Sequence, residues 1–253
     1  MNVVLRALSA ESLKLRGTLA LWMCLIAPLT VVMLYVLQLT FTDFGKRPPL
    51  PPAEAWLMFT QGVLTIWTLL MLPLFVTLES ALVAGLEHGN QQWKHLMALP
   101  VPRGVHYLAK VIAVVAMVAL AMGLMCLLVP LGGWVLGHLQ PRFGIDGAPP
   151  WSFLLSRVAL VFATALLMIA LQTWVAVRWH SFTIAVATGM TATVMGYLIG
   201  QSARFSHYYP WTMPIQALSR EGRHIDFVLL AGIGGGIVVT ALALWDFLRR
   251  ETG

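Results

Sequence analysis

The sequence predicts an all-α, polytopic membrane protein, and three observations carry that expectation. Composition is the first: of 253 residues, 59% are hydrophobic and only 10% are charged, far from the mixture that a water-covered domain needs. Six long apolar runs are the second, because a helix needs roughly 20 residues to cross a hydrocarbon core about 30 Å thick while satisfying its own backbone. Their texture is the third. The runs are continuous and rich in Leu, Ala, Val and Met, whereas a transmembrane barrel requires alternating segments of roughly 10 residues.

The first element precedes the spans. At 100° per residue Val4, Leu15, Leu8, Met1 and Leu5 gather on one side of residues 1–17, with Arg6, Asn2, Ser9 and Lys14 elsewhere and Val3 and Leu13 spoiling the polar face. That pattern suits an amphipathic helix lying along a membrane surface. It also suits an ordinary charged flank. The first span, Thr18–Phe41, follows, and its apolar stretch Leu19–Leu39 is too long for the apolar region of a cleaved signal. It is expected to remain in place.

The other spans are expected at Trp56–Leu86, Tyr107–Gly137, Ser152–Val177, Phe182–Gly200 and Phe227–Leu248. Pro28, Pro73 and Pro130 fall within the first three and should loosen or kink them, since each removes a backbone donor. Small residues, namely Gly196 and Gly200 in GYLIG and the GIGGG run Gly232–Gly236, permit close helix approach. Cys24 and Cys126 lie within spans and read as apolar packers. The seven histidines fall in no ligand spacing, so no metal site is expected.

Charge sets the expected orientation. With both termini in the cytoplasm, the sixteen Lys and Arg divide nine inside to seven outside. The bias is clearest at the first span, where Arg6, Lys14 and Arg16 precede it while Lys46 and Arg47 share their loop with Asp43 and Glu54. A net charge of +6 suits contact with anionic lipid. Charges at membrane depth are costly. Glu79 lies eight residues before Glu87, so the two carboxylates fall near one helical face about 12 Å apart. Glu79 reads as a snorkelling or helix-paired carboxylate, with a proton-relay or substrate role as the other possibility. Arg157 and Asp226 read as interfacial anchors.

One polar interruption stands out, Glu87–Lys110, EHGNQQWKHLMALPVPRGVHYLAK. Gly89 and Asn90 can end the second span and cap a new helix over Gln91–Ala98, and Pro100 disfavours helix at Leu99. Trp93, Leu96 and Met97 would then share a face, with Lys94 and His95 beside them. This is either a stiff amphipathic knob outside the lipid or an interfacial loop with Trp93 in the aromatic belt. The second interruption, residues 201–224, is too broken by Pro210 and Pro214 to span but carries Tyr208, Tyr209 and Trp211. It is expected to form an extracellular or re-entrant segment, or a plain aromatic-belt loop.

The order Glu87, Gly89, Trp93, Lys94, Leu96, Leu99, Pro100, Val101, Pro102, Arg103 and Lys110 resembles the first cytoplasmic loop of ABC-2 type export permeases, in particular the six-helix subunits related to bacitracin and lantibiotic immunity transporters. Pro210, Trp211 and Pro214 resemble the YPWxxP element of the same family. Asn90 departs from the Thr that many relatives carry, although a polar helix cap survives.

The resemblance implies a single permease domain over 1–253, with residues 1–17 as a connecting helix and 87–103 as a coupling-helix loop. Glu87, Gly89, Trp93, Lys94, Leu96, Met97, Leu99, Pro100 and Arg103 would dock on a separate ABC ATP-binding subunit. Pro210, Trp211 and Pro214 would brace an extracellular gate. The chain has no GxxxxGK[ST] loop to cradle phosphates, so ATP and Mg are expected on the partner ATPase and no cofactor on this chain. A second permease subunit, identical or related, would complete the path in the bacterial inner membrane.

Two other classes compete. An intramembrane enzyme would need a nucleophile with a base, yet Ser80, Ser152 and Ser156 have no histidine convincingly placed beside them. A substrate-capturing subunit of an energy-coupled importer is the stronger rival, since it too lacks ATP motifs, but it does not call for the Glu87–Arg103 pattern.

Overall fold

The computed structural model describes residue 9 and residues 11–45, 48–88, 103–179, 181–219 and 224–249. Within them the chain is helical, and six helices are long and apolar enough to cross a membrane. They are α1 (Leu19–Thr40), then a second span made of α2 (Pro52–Ile66), a π turn (Trp67–Met71) and α3 (Leu72–His88), then α4 (Arg103–Leu139), α5 (Trp151–Arg178), α6 (Phe182–Gly200) and α8 (Ile225–Arg249). The short α7 (Met213–Gln216) lies between α6 and α8. Each expected span is present. The protein is a multi-pass membrane protein.

Local chemistry sets most boundaries. Pro52 starts α2 at the position where the missing N–H costs nothing, and Ser181 caps α6 by accepting a hydrogen bond from the Ile184 N–H at 3.4 Å. Gly17 adopts a left-handed φ of +76°, which turns the chain from the helical residues 11–15 into α1. Of the three prolines, Pro28 and Pro130 lie inside unbroken helical runs. The irregularity instead precedes Pro73: the Leu72 N–H reaches back five residues to the Trp67 carbonyl. A π turn places one extra residue in the helix, so the half below it is rotated by about 100° relative to an ideal α-helix.

That rotation changes which face of the second span is buried. Trp56, Phe59, Val63, Leu64 and Trp67 fill the core above the turn, and Leu72, Phe75, Val76, Glu79 and Val83 fill it below. The main core is built by α1, the second span, α4 and α5 around these side chains. A second cluster gathers Ala81, Ala84, Tyr107, Val111, Ala176, Val177, Ala185 and Ala243 at the end of the bundle near the 87–103 loop.

The expected glycine contacts occur. A Cβ on Gly232 would lie 2.7 Å from the Thr164 Cα, and one on Gly236 would lie 3.1 Å from the Leu166 carbonyl carbon, so α8 and α5 approach backbone to backbone. Gly196 leaves room for side chains of the broken segment, its Cβ position lying 3.2 Å from the Trp211 Cβ. Cys24 and Cys126 are free thiols, the first buried and the second partly so.

Candidate functional site

Two places bear on function, one at each end of the bundle. At the first, α3 runs out to Glu87 and His88 and α4 begins at Arg103. Gly89, Trp93, Lys94, Leu96, Met97, Leu99 and Pro100 lie outside the described residues, as does the expected knob itself. What is described is its platform.

The platform is polar and tightly held. Lys110, only 1% exposed, donates from Nζ to the Val83 carbonyl at 3.3 Å and lies 4.0 Å from Glu11 Oε1. Glu11, itself 4% exposed, also pairs with Lys14 at 3.2 Å. The segment before α1 is therefore pinned to the start of α4 by a buried carboxylate. Across the bundle Asp246 of α8 accepts from Trp174 Nε1 at 3.1 Å and lies 3.7 Å from Arg178 Nε. The Tyr107 and Phe247 rings meet with centroids 5.8 Å apart and planes tilted by 31°. Burying a charge is tolerable when it is paired and hydrogen-bonded, and these contacts fix both ends of the 87–103 connection to several helices.

Lys110 belongs to the pattern that resembles the first cytoplasmic loop, whereas Glu11 carries little local signal, being a single acid among basic residues before a span. Pairing over nearly a hundred positions is set by tertiary packing.

At the opposite end, the broken segment folds back against the bundle. The Tyr209 hydroxyl donates to the Ala192 carbonyl at 2.9 Å, two turns inside α6. Arg157 Nη1 donates to the Ala217 carbonyl at 2.8 Å, and α7 touches the π turn of the second span. Counting 1.5 Å per residue from Pro52, that turn lies about 20 Å along the helix. Pro214 is buried in α7, Trp211 is partly buried against the core, and Pro210 is partly exposed. Thr212 ties the segment to itself by donating to the Ser206 and Tyr209 carbonyls. Burial pushes the Tyr209 phenol above its ordinary pKa. The Arg157 guanidinium also lies 5.3 Å from the Phe153 ring centroid.

Between these ends lies Glu79. Its side chain is fully buried, and neither carboxyl oxygen has a hydrogen-bond partner among the described residues. The expectation of a snorkelling or helix-paired carboxylate is thus corrected: the carboxyl is turned into the core of the bundle without a pairing partner among the described residues. The rotation at the π turn is the physical reason. No group of three or more His, Cys, Asp or Glu suited to a metal occurs among the described residues.

A helical bundle with this platform and fold-back segment could serve several membrane classes, so similarity to a known family decides. The profile of the family described as ABC-2 family transporter protein matches residues 7–196. The chain belongs to the ABC-2 transporter family. It is a permease of an ABC-type transporter, a membrane transport component, and the family as a whole implies an ABC ATP-binding partner. The matched region runs from the pinned segment through most of α6 and includes the 87–103 connection of the permease. No curated protein and no solved structure matches the chain.

Proposed function

We propose that this ABC-2 permease is the membrane subunit of an exporter, forming the substrate path and coupling it to ATP hydrolysis on a separate ATP-binding subunit. The observation that carries this reading is the family match across the 87–103 connection. Trp93, Leu96 and Met97 present an apolar face to the ATPase, flanked by Lys94, with Glu87, Gly89, Leu99, Pro100 and Arg103 shaping the entry and exit of the coupling helix. ATP and Mg belong to that partner. Residues 1–17 act as a connecting helix.

The buried Glu11–Lys110 contact supports a mechanical role for the platform, because movement of the loop is carried directly into α4 and the segment before α1. ATP-driven closure of two ATPase subunits would tilt the second span and α4. The path opens between two permease subunits, here two copies of one chain, in the bacterial inner membrane with both termini in the cytoplasm. The fold-back segment, through Pro210, Trp211 and Pro214, forms the extracellular gate, a role favoured by its contact with the π turn.

Purification of the tagged full chain from its native membrane tests the partnership. An ATP-binding subunit should copurify in roughly equal amount. Recovery of the chain with no nucleotide-binding protein would count against the reading.

A further inference from the structure

The second span carries a polar stripe that neither the core nor the family assignment uses. Glu54, Gln61 and Thr65 are spaced by seven and four residues, which at 100° per residue places them within about 20° of one line. The opposite side of this helix holds Trp56, Phe59 and Val63 in the core. The stripe faces out of the bundle. With Tyr35 and Gln38 of α1 it lines a groove of about 720 Å³ whose remaining walls are apolar, including Leu57, Met58 and Ile66.

Among the described residues, no hydrogen bond or ion pair engages the side chains of Gln38, Glu54 or Gln61. Gln38 and Glu54 sit in the last turn of α1 and the first turn of α2, but the Gln61 amide lies two turns inside the second span, where an open polar group is costly against lipid. A lipid-facing groove would be apolar throughout. The groove also ends at the π turn, a helical irregularity that is frequent at functional sites. Glu54 alone would be explained by its place in the first turn of α2, where an acid suits the helix dipole. Thr65, three turns on, satisfies its hydroxyl by donating to the Gln61 carbonyl at 2.7 Å, whereas the Gln61 side chain, two turns on, has no such explanation.

We propose that this groove is a binding site for a small apolar cation, an amphiphile with one positive charge. The proposal rests on the permease reading, since a site open to the side of one chain matters most on a transport path. Glu54 supplies the counter-charge, and the Tyr35 ring, packed at 5.7 Å against Phe59 with its hydroxyl over Gly62, supplies a π face. Gln38 and Gln61 hydrogen-bond polar substituents, and Met58 with its apolar neighbours covers the body of the ligand. A second copy seated symmetrically on the same groove is disfavoured, because a two-fold contact centred there would bring the two Glu54 carboxylates together.

The test uses two probe ions of equal size and opposite charge, tetraphenylphosphonium and tetraphenylborate, titrated against the purified full chain with empty micelles subtracted. Wild type should bind the cation saturably and more tightly than the anion. Glu54→Gln should weaken the cation roughly fivefold, as expected for one partly screened charge contact, and leave the anion no weaker. Met58→Trp, which fills the groove, should weaken both. The proposal is overturned if Glu54→Gln affects neither ion or both alike, if Met58→Trp leaves cation binding intact, or if Gln61→Cys crosslinks efficiently between two copies. No ATP or partner is needed. A failure of ATPase coupling therefore leaves this result unchanged, and loss of the site leaves the exporter reading standing.

Discussion

Replacing Gly232 by Ala places a methyl group where α8 crosses α5, and its consequence can be worked from the backbone alone. The new Cβ would lie 2.7 Å from the Thr164 Cα, 2.8 Å from the Ala163 carbonyl oxygen and 3.0 Å from that of Thr164. All three are backbone atoms of a packed helix, so relief requires α5 and α8 to separate. Overpacking of this kind costs about 1–3 kcal/mol. Against it stands the gain of about 0.5–1 kcal/mol that Ala brings over Gly inside any helix. Gly234, two residues on, is the matched control, because its Cβ would meet only the Leu230 Cδ1 of its own helix at 3.9 Å. Gly234→Ala should therefore raise thermal stability by the propensity gain alone. The difference between the two variants isolates the overpacking, and it should amount to a few degrees in the melting temperature of the detergent-purified chain. Equal melting temperatures, or a more stable Gly232→Ala, would refute close backbone contact between α5 and α8.

Two further outcomes concern the ends of the bundle. Lys110→Met leaves Glu11, 4% exposed, without one of its partners; since Lys14 remains at 3.2 Å, the loss should be about 1–3 kcal/mol. It should appear as a lower melting temperature that a second change, Glu11→Gln, partly restores. Burial raises the Tyr209 pKa above its ordinary value of 10.0. The folded state therefore holds its proton where the unfolded state has lost it, and stability falls as pH rises from 10.0 to the folded value. Tyr209→Phe should flatten that alkaline decline in a pH series of melting curves, and an unchanged slope would contradict the burial of the phenol.

The spans are legible in the sequence because a membrane crossing depends on length and apolarity, both local properties. Pro52 and Ser181 mark helix starts by the same local chemistry. The GIGGG run likewise announces a close helix contact, although its partner, the Ala163–Leu166 stretch of α5, is set only by packing. The π turn at Trp67–Met71 is different. In an unbroken apolar run nothing marks a change of phase, so an ideal helix continued from Trp56, Phe59 and Val63 leaves Glu79 off the buried face, whereas the helix rotated at the π turn buries it. The stripe of Glu54, Gln61 and Thr65 lies before the π turn at regular helical spacing, and it stands out only once the opposite face of α2 is known to fill the core. The fold-back of residues 201–219 depends on bonds from Tyr209 to Ala192 and from Arg157 to Ala217, and no local pattern specifies such partners. The coupling knob rests on helix-capping chemistry and family resemblance, since residues 89–102 lie outside those described.

Force transfer through residues 87–103 is tested most directly by ATPase measurement on the permease reconstituted with its ATP-binding subunit. Trp93→Asp with Lys94→Glu replaces the apolar anchor and reverses the adjacent charge, without altering the described helices. The wild-type permease should change the ATPase rate of its partner, and the double variant should abolish that effect while melting at the wild-type temperature. A double variant that still couples fully would contradict docking of the ATPase on this loop.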